Sequence, residues 1–125
     1  MKIRGYRANQ QGGACLVTVV DDVGDESVLM PAQLKPKYEV RHSPDGFQWG
    51  YAGSGPAELS RAILVCVIKG DDRARHPRCY QRLKADVISR IKRDEFELTF
   101  KSVQEWYENW LVEHGKSVER GWTSW

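Results

Sequence analysis

Polar and apolar positions alternate from the start of the chain. In KIRGYR, residues 2 to 7, charged side chains alternate with apolar or small ones, the period-two pattern of an exposed strand. NQQGG (9 to 13) is a turn signal, and ACLVTVV (14 to 20) is a β-branched run. Together they predict a β-hairpin. After a polar loop, DDVGDES, the run VLM (28 to 30) predicts a short third strand stopped by Pro31. Residues 31 to 46 hold three prolines and read as extended or irregular. GFQWGY (46 to 51) puts Phe47, Trp49 and Tyr51 on one face and predicts an aromatic strand buried on that face.

The period then becomes helical. Pro56 suits a first helical position, Gly55 an N-cap, and Glu58 the third position, where the helix dipole favours an acid. Residues 57 to 70 are apolar on most sides from Ala62 to Ile68, which predicts a central buried helix ended by Gly70. From Pro77, the positions Tyr80, Leu83, Val87, Ile88 and Ile91 form the stripe of a second helix. FELTF (96 to 100) predicts a strand. Ser102 and Glu105 have capping-box spacing and predict the start of a third helix. Its stripe is Val103, Trp106, Tyr107, Trp110 and Leu111, and Gly115 is placed to end it, leaving 115 to 125 as a tail. Strands come first and helices later, which favours an α+β fold. The expectation is one domain over 1–125, with a small, mostly antiparallel sheet of three to five strands covered by about three helices.

Composition adds few restrictions. The chain has 125 residues, 41% hydrophobic and 29% charged, as a globular domain has. No apolar run is long enough for a membrane span, and MKIRGYRANQ lacks the apolar core of a secretion signal. The expected setting is the cytoplasm, with no membrane partner. Cys15, Cys66 and Cys79 form no CxxC pair, and Cys15 and Cys66 sit in apolar runs that predict buried thiols. Histidine, aspartate and glutamate show no metal-ligand spacing, and no cofactor motif is present, so neither a metal nor a cofactor is expected. His76 and His114 lie beside predicted helix ends, where an imidazole can interact with the terminus.

Charge is unevenly distributed. The net charge is only +2, yet residues 69 to 93 carry nine basic side chains against Asp71, Asp72 and Asp86. Arg78, Arg82, Asp86 and Arg90 recur every four residues on one helical face, where Asp86 could pair with both Arg82 and Arg90. Arg73, Arg75, Lys92 and Arg93 flank that face. Such a patch suits an acidic protein surface or a phosphate backbone. Trp122 and Trp125 close the chain, and tryptophan is enriched at binding hot spots. The candidate partner-binding residues are therefore Arg75, Arg78, Arg82, Arg90, Lys92, Arg93, Trp122 and Trp125.

The stretch RHSPDGFQWGYAGSGPAELSRAIL, residues 41 to 64, carries the densest pattern. Its block from His42 to Ala57 resembles the hallmark of a family of small uncharacterised proteins of bacteria, phages and plasmids. CYQRLKADVISRI and ENWL resemble that family's later helices, so the likeness runs from about Tyr38 to Leu111. Cys79, where leucine or alanine is usual, and the longer C-terminal tail depart from the pattern. The resemblance implies a shared fold and a mobile-element origin, but no reaction.

The same stretch offers the candidate chemistry. His42 and Ser43 are neighbours and point to opposite sides of an extended chain, so they cannot form a base–nucleophile pair. Ser43–Gly46 is a turn signature. GYAGSGP could hold an anion at a helix N-terminus, but it lacks the lysine and serine of a phosphate loop. A strand-to-helix corner accounts for its glycines at lower cost. The leading expectation is a non-enzymatic binding protein that meets an acidic protein or nucleoprotein surface through its basic face, as an inhibitor of a bacterial defence complex would. Nucleic acid is a further candidate partner. The alternative is a small enzyme or phosphate-ligand binder centred on His42, Ser54 and the GYAGSGP loop.

Overall fold

A computed structural model describes residues 1–8, 15–30 and 46–121, with side chains as far as Gly115 in the last helix. Strand β1 (Lys2–Arg7) pairs antiparallel with β2 (Cys15–Val20), as the alternating runs predict. β2 pairs with β3 (Glu26–Val28), and β1 pairs on its other side with β4 (Glu95–Thr99). The sheet order is β3-β2-β1-β4, antiparallel throughout. The first strand of the chain is thus interior to the sheet.

Three α-helices complete the α+β fold: α1 (Ser54–Val67), α2 (Pro77–Asp86) and α3 (Phe100–Gly121). Short 3₁₀ turns at Asp72–Arg75 and Ile88–Arg90 flank α2. One core joins Ile3, Val17 and Phe96 of the sheet to Leu59, Ile63 and Leu64 of α1. Tyr80 and Leu83 of α2 and Val103, Tyr107 and Trp110 of α3 complete it. Helix α1 is buried on most sides, as its continuous apolar run predicts.

Several boundaries differ from the pattern-based expectation. The third strand ends at Val28 rather than spanning 28 to 30, because Leu29 turns into the core and donates its N–H to the Val17 carbonyl. GFQWGY forms no strand: Gly46 and Gly50 both adopt φ of +90°, which breaks the extended run at each end. Trp49 is fully buried, but Tyr51 is 50% exposed. Helix α1 begins two residues before Pro56, with Gly53 rather than Gly55 as its N-cap. Helix α3 begins earlier than Ser102, since Thr99 acts as the cap. Its Oγ1 accepts the Ser102 N–H at 3.1 Å, and the Ser102 hydroxyl donates back to the Thr99 carbonyl at 2.8 Å. Gly115 does not end α3, which continues to Gly121. It is buried within the helix, where a side chain would press on Arg73 at 3.2 Å. Cys15 and Cys66 are half-buried rather than buried, and Cys79 is fully buried.

Candidate functional site

The corner from Gly46 to Ala57 is held by Arg7. This arginine is only 4% exposed. It shares strand parity with Ile3, so its side chain turns inward. Its guanidinium donates to the Asp94 carboxylate at 3.0 Å, the Trp49 carbonyl at 2.7 Å and the Arg93 carbonyl at 3.4 Å. The Trp49 indole N–H donates to the same Arg93 carbonyl at 2.8 Å. Lys92 donates to the Gly50 carbonyl at 2.7 Å and to the Ser89 carbonyl at 3.2 Å. The loop and the link into β4 are thereby fastened together. The glycines serve this packing. A Cβ at Gly50 would lie 2.8 Å from the Ile91 carbonyl oxygen, one at Gly53 2.5 Å from the Tyr51 ring, and one at Gly55 2.8 Å from Gln48. Gln48 and Tyr51 therefore occupy the space in front of the α1 N-terminus. Ser54, which would belong to an anion cradle, is the first residue of α1. His42 and Ser43 lie outside the described residues.

The basic segment is more compensated than its sequence suggests. Each of its three acids holds one arginine: Asp71 holds Arg73 at 2.8 Å, Asp72 holds Arg75 at 3.2 Å, and Asp86 holds Arg82 at 2.9 Å. The Arg73 pair keeps the Asp71 carboxyl below the usual carboxylate range. Asp86 does not bridge to Arg90. Its second oxygen accepts the indole N–H of Trp106 on α3 at 2.9 Å, and the α-helical register ends at Asp86, before the 3₁₀ turn that carries Arg90.

Between α2 and α3 runs an open groove of about 470 Å³, lined by Arg78, Gln81, Arg82, Ala85, Trp110 and His114. One wall presents two guanidiniums from successive turns of α2. The other is the top of an aromatic ladder along α3. Tyr107 stacks on Trp110 with ring centroids 6.0 Å apart, and His114 follows Trp110 at 5.8 Å. The lower end of this ladder is buried. The Tyr107 hydroxyl lies in the field of Asp71, yet it is enclosed and lacks a well-formed hydrogen bond, and burial pushes its pKa well above the ordinary phenol range. Burial likewise pushes the Cys79 thiol far up, so it is no nucleophile. His76 is buried and caps α2, its Nδ1 accepting the Arg78 N–H at 3.1 Å, and burial lowers its pKa.

Of the residues singled out by sequence, Arg78 and Arg82 meet in this groove. Arg75 lies on the preceding 3₁₀ turn, paired with Asp72. Lys92 belongs to the corner, and Arg90 is exposed beyond α2. Arg93 lines a separate hollow of about 530 Å³ with Arg4, Tyr6, Glu95 and Glu97. That hollow is the larger of the two, but its charges balance. Its Arg4 is already shared between Glu26 at 2.8 Å and Glu97 at 3.0 Å. Trp122 and Trp125 lie outside the described residues. Sequence reasoning passed over His114 as a groove residue and Asp86 as a bridge between helices. It also passed over Arg7, whose parity with Ile3 was the available signal. Among the described residues no cluster of three or more histidine, cysteine, aspartate or glutamate side chains could hold a metal, and no helix is long and apolar enough to cross a membrane.

A family model described as a family of unknown function (DUF6166) matches residues 4–109. The match includes the α2 wall of the groove and stops one residue before Trp110. No curated protein and no solved structure matches the chain.

Proposed function

The chain belongs to this family of unknown function, and from its geometry we propose that it is a non-enzymatic binding protein whose α2–α3 groove receives an acidic surface of a partner protein. One observation carries the reading: Arg78 and Arg82 share a groove with Trp110 and His114. Arginine and tryptophan are the side chains most enriched at binding hot spots. An arginine next to an aromatic wall can pair with a carboxylate while apolar contact excludes water. A protein partner fits better than nucleic acid. Duplex or single-strand binding rests on a track of cations that neutralises successive phosphates. Here the track is interrupted by Asp72 and Asp86. The likeness of residues 42 to 57 to proteins of phages and plasmids makes a host defence complex the natural partner, with inhibition as the consequence of binding.

The test is affinity capture from a bacterial lysate with wild type and the Arg78→Glu/Arg82→Glu double variant, each with and without nuclease. The expected result is a protein retained by wild type, insensitive to nuclease and lost with the double variant. Equal capture by both proteins removes the groove from consideration. Capture that nuclease abolishes reassigns the face to nucleic acid.

A further inference from the structure

We infer that the Arg82 guanidinium is a preset anchor for a carboxylate on a short acidic segment of a partner protein, with Asp86 and Trp106 as its positioning residues. The inference rests on the groove reading above. Asp86 uses its two oxygens on two helices. Oδ1 lies 2.9 Å from Arg82 Nε within α2, and Oδ2 accepts the Trp106 indole N–H from α3 at 2.9 Å. The carboxylate is therefore fixed across the helix pair. A solvent-facing i,i+4 pair alone would hold Arg82 only weakly. This one is braced by a neutral donor that titrates at no accessible pH.

The contact to Asp86 engages Nε. The Nη1 and Nη2 end of the guanidinium is the fork that matches a carboxylate. The Arg82 side chain is 57% exposed, with the groove beside it. A free arginine loses much rotamer entropy when a partner immobilises it, and prior fixation removes part of that loss. Arg78 presents a second guanidinium one turn earlier. Ala85 is small, and between the two arginines the Trp110 ring, 5% exposed, forms the floor of the groove. Two cations around an apolar floor complement two carboxylates around an apolar side chain. About 470 Å³ accommodates a few side chains of such a segment, not a folded domain.

The test uses the full chain labelled with ¹⁵N, titrated with a ten-residue glutamate-rich peptide carrying a central leucine. A ten-nucleotide oligothymidylate at 0.15 M salt is the comparison. Variants are Arg82→Ala, Asp86→Asn and the pair together. Asparagine keeps an oxygen for the Trp106 indole but no charge for Arg82. The peptide should shift the Trp110 indole resonance in wild type. Affinity should fall about tenfold in Arg82→Ala and about threefold in Asp86→Asn. In the double variant, Asp86→Asn should add nothing further, a coupling that general destabilisation would not produce. If Asp86→Asn binds as well as wild type while Arg82→Ala binds weakly, the positioning role is overturned and the groove reading stands. If Arg82→Ala binds as wild type does, both fall. Absence of any shift with peptide at millimolar concentration, or preference for the oligonucleotide, overturns the acidic segment as occupant.

Discussion

Arg7 both stacks on Trp49 and hydrogen-bonds to it. The guanidinium carbon lies 4.8 Å from the indole centroid, and Nη1 donates to the Trp49 carbonyl oxygen at 2.7 Å. One cation thus fixes the ring and the backbone of the same residue. Lysine keeps the charge but lacks the planar fork. Arg7→Lys should lower stability by about 2–4 kcal/mol, because buried acceptors lose charge-assisted donors. Urea denaturation of the two proteins measures it, and an unchanged midpoint would contradict this account of the corner.

Trp49 itself sits edge-on to Phe96 with centroids 4.8 Å apart and is fully buried. Trp49→Ala should cost about 3–5 kcal/mol through the cavity and the lost indole donor. Calorimetry should show a melting temperature lower by roughly ten to twenty degrees, given about 4 °C per kcal/mol for a domain of this size.

His76 predicts a pH dependence. Its Nδ1 must stay unprotonated to cap α2, and its folded pKa lies below the ordinary 6.5. The unfolded chain therefore takes up the proton first as pH falls. The stability from this group is fully present above about pH 6.5 and is lost as pH drops through the lower folded value. His76→Asn retains a capping acceptor without the titration. Denaturation midpoints between pH 8 and 5 should decline in wild type and stay flatter in the variant. The carboxylates held low, Asp71 and Glu97, lose their contributions only at still lower pH.

The cap of α3 separates two readings of its start. Thr99→Ala should cost about 1 kcal/mol, whereas Glu105→Ala should cost next to nothing, because Glu105 is exposed and Thr99 holds the Ser102 N–H. Comparable losses at both positions would restore Ser102 as the cap.

Tyr107→Phe is expected to leave stability unchanged or raise it slightly. The hydroxyl is buried without a good partner, so its removal relieves an unsatisfied polar group. A loss above about 1 kcal/mol in thermal denaturation would mean that Asp71 holds this hydroxyl firmly.

Much of the architecture could be read from periodicity. The β1–β2 pairing, the mostly buried α1 and the Tyr80–Leu83 part of the second stripe follow from spacing, because burial there is decided by side chains three, four or two residues apart. Val87, Ile88 and Ile91 lie beyond α2, which ends at Asp86 and passes into a 3₁₀ turn. The 46–51 segment misled because its aromatic alternation is real while Gly46 and Gly50, at φ of +90°, deny it a strand backbone. Thr99 was hidden because threonine suits the strand it ends as well as the helix it caps. At the groove, Arg78 and Arg82 were visible from the charge count. Their neighbours Trp110 and His114, and the Asp86–Trp106 link, depend on how α2 meets α3, which no local pattern specifies.

The sheet order has a consequence for how the chain acquires its fold. β1 is made first but lies inside the sheet, and its second neighbour, β4, ends at Thr99. Until the chain has been synthesised to that point, β1 carries one open edge, and the inward Arg7 lacks Asp94 and the Arg93 carbonyl. The last contacts to form are therefore those of greatest sequence separation, which slows folding relative to a helical domain of equal size. A nascent chain halted before residue 93 presents an unpaired strand edge and an Arg7 without Asp94 and the Arg93 carbonyl, the state most exposed to aggregation and to chaperones.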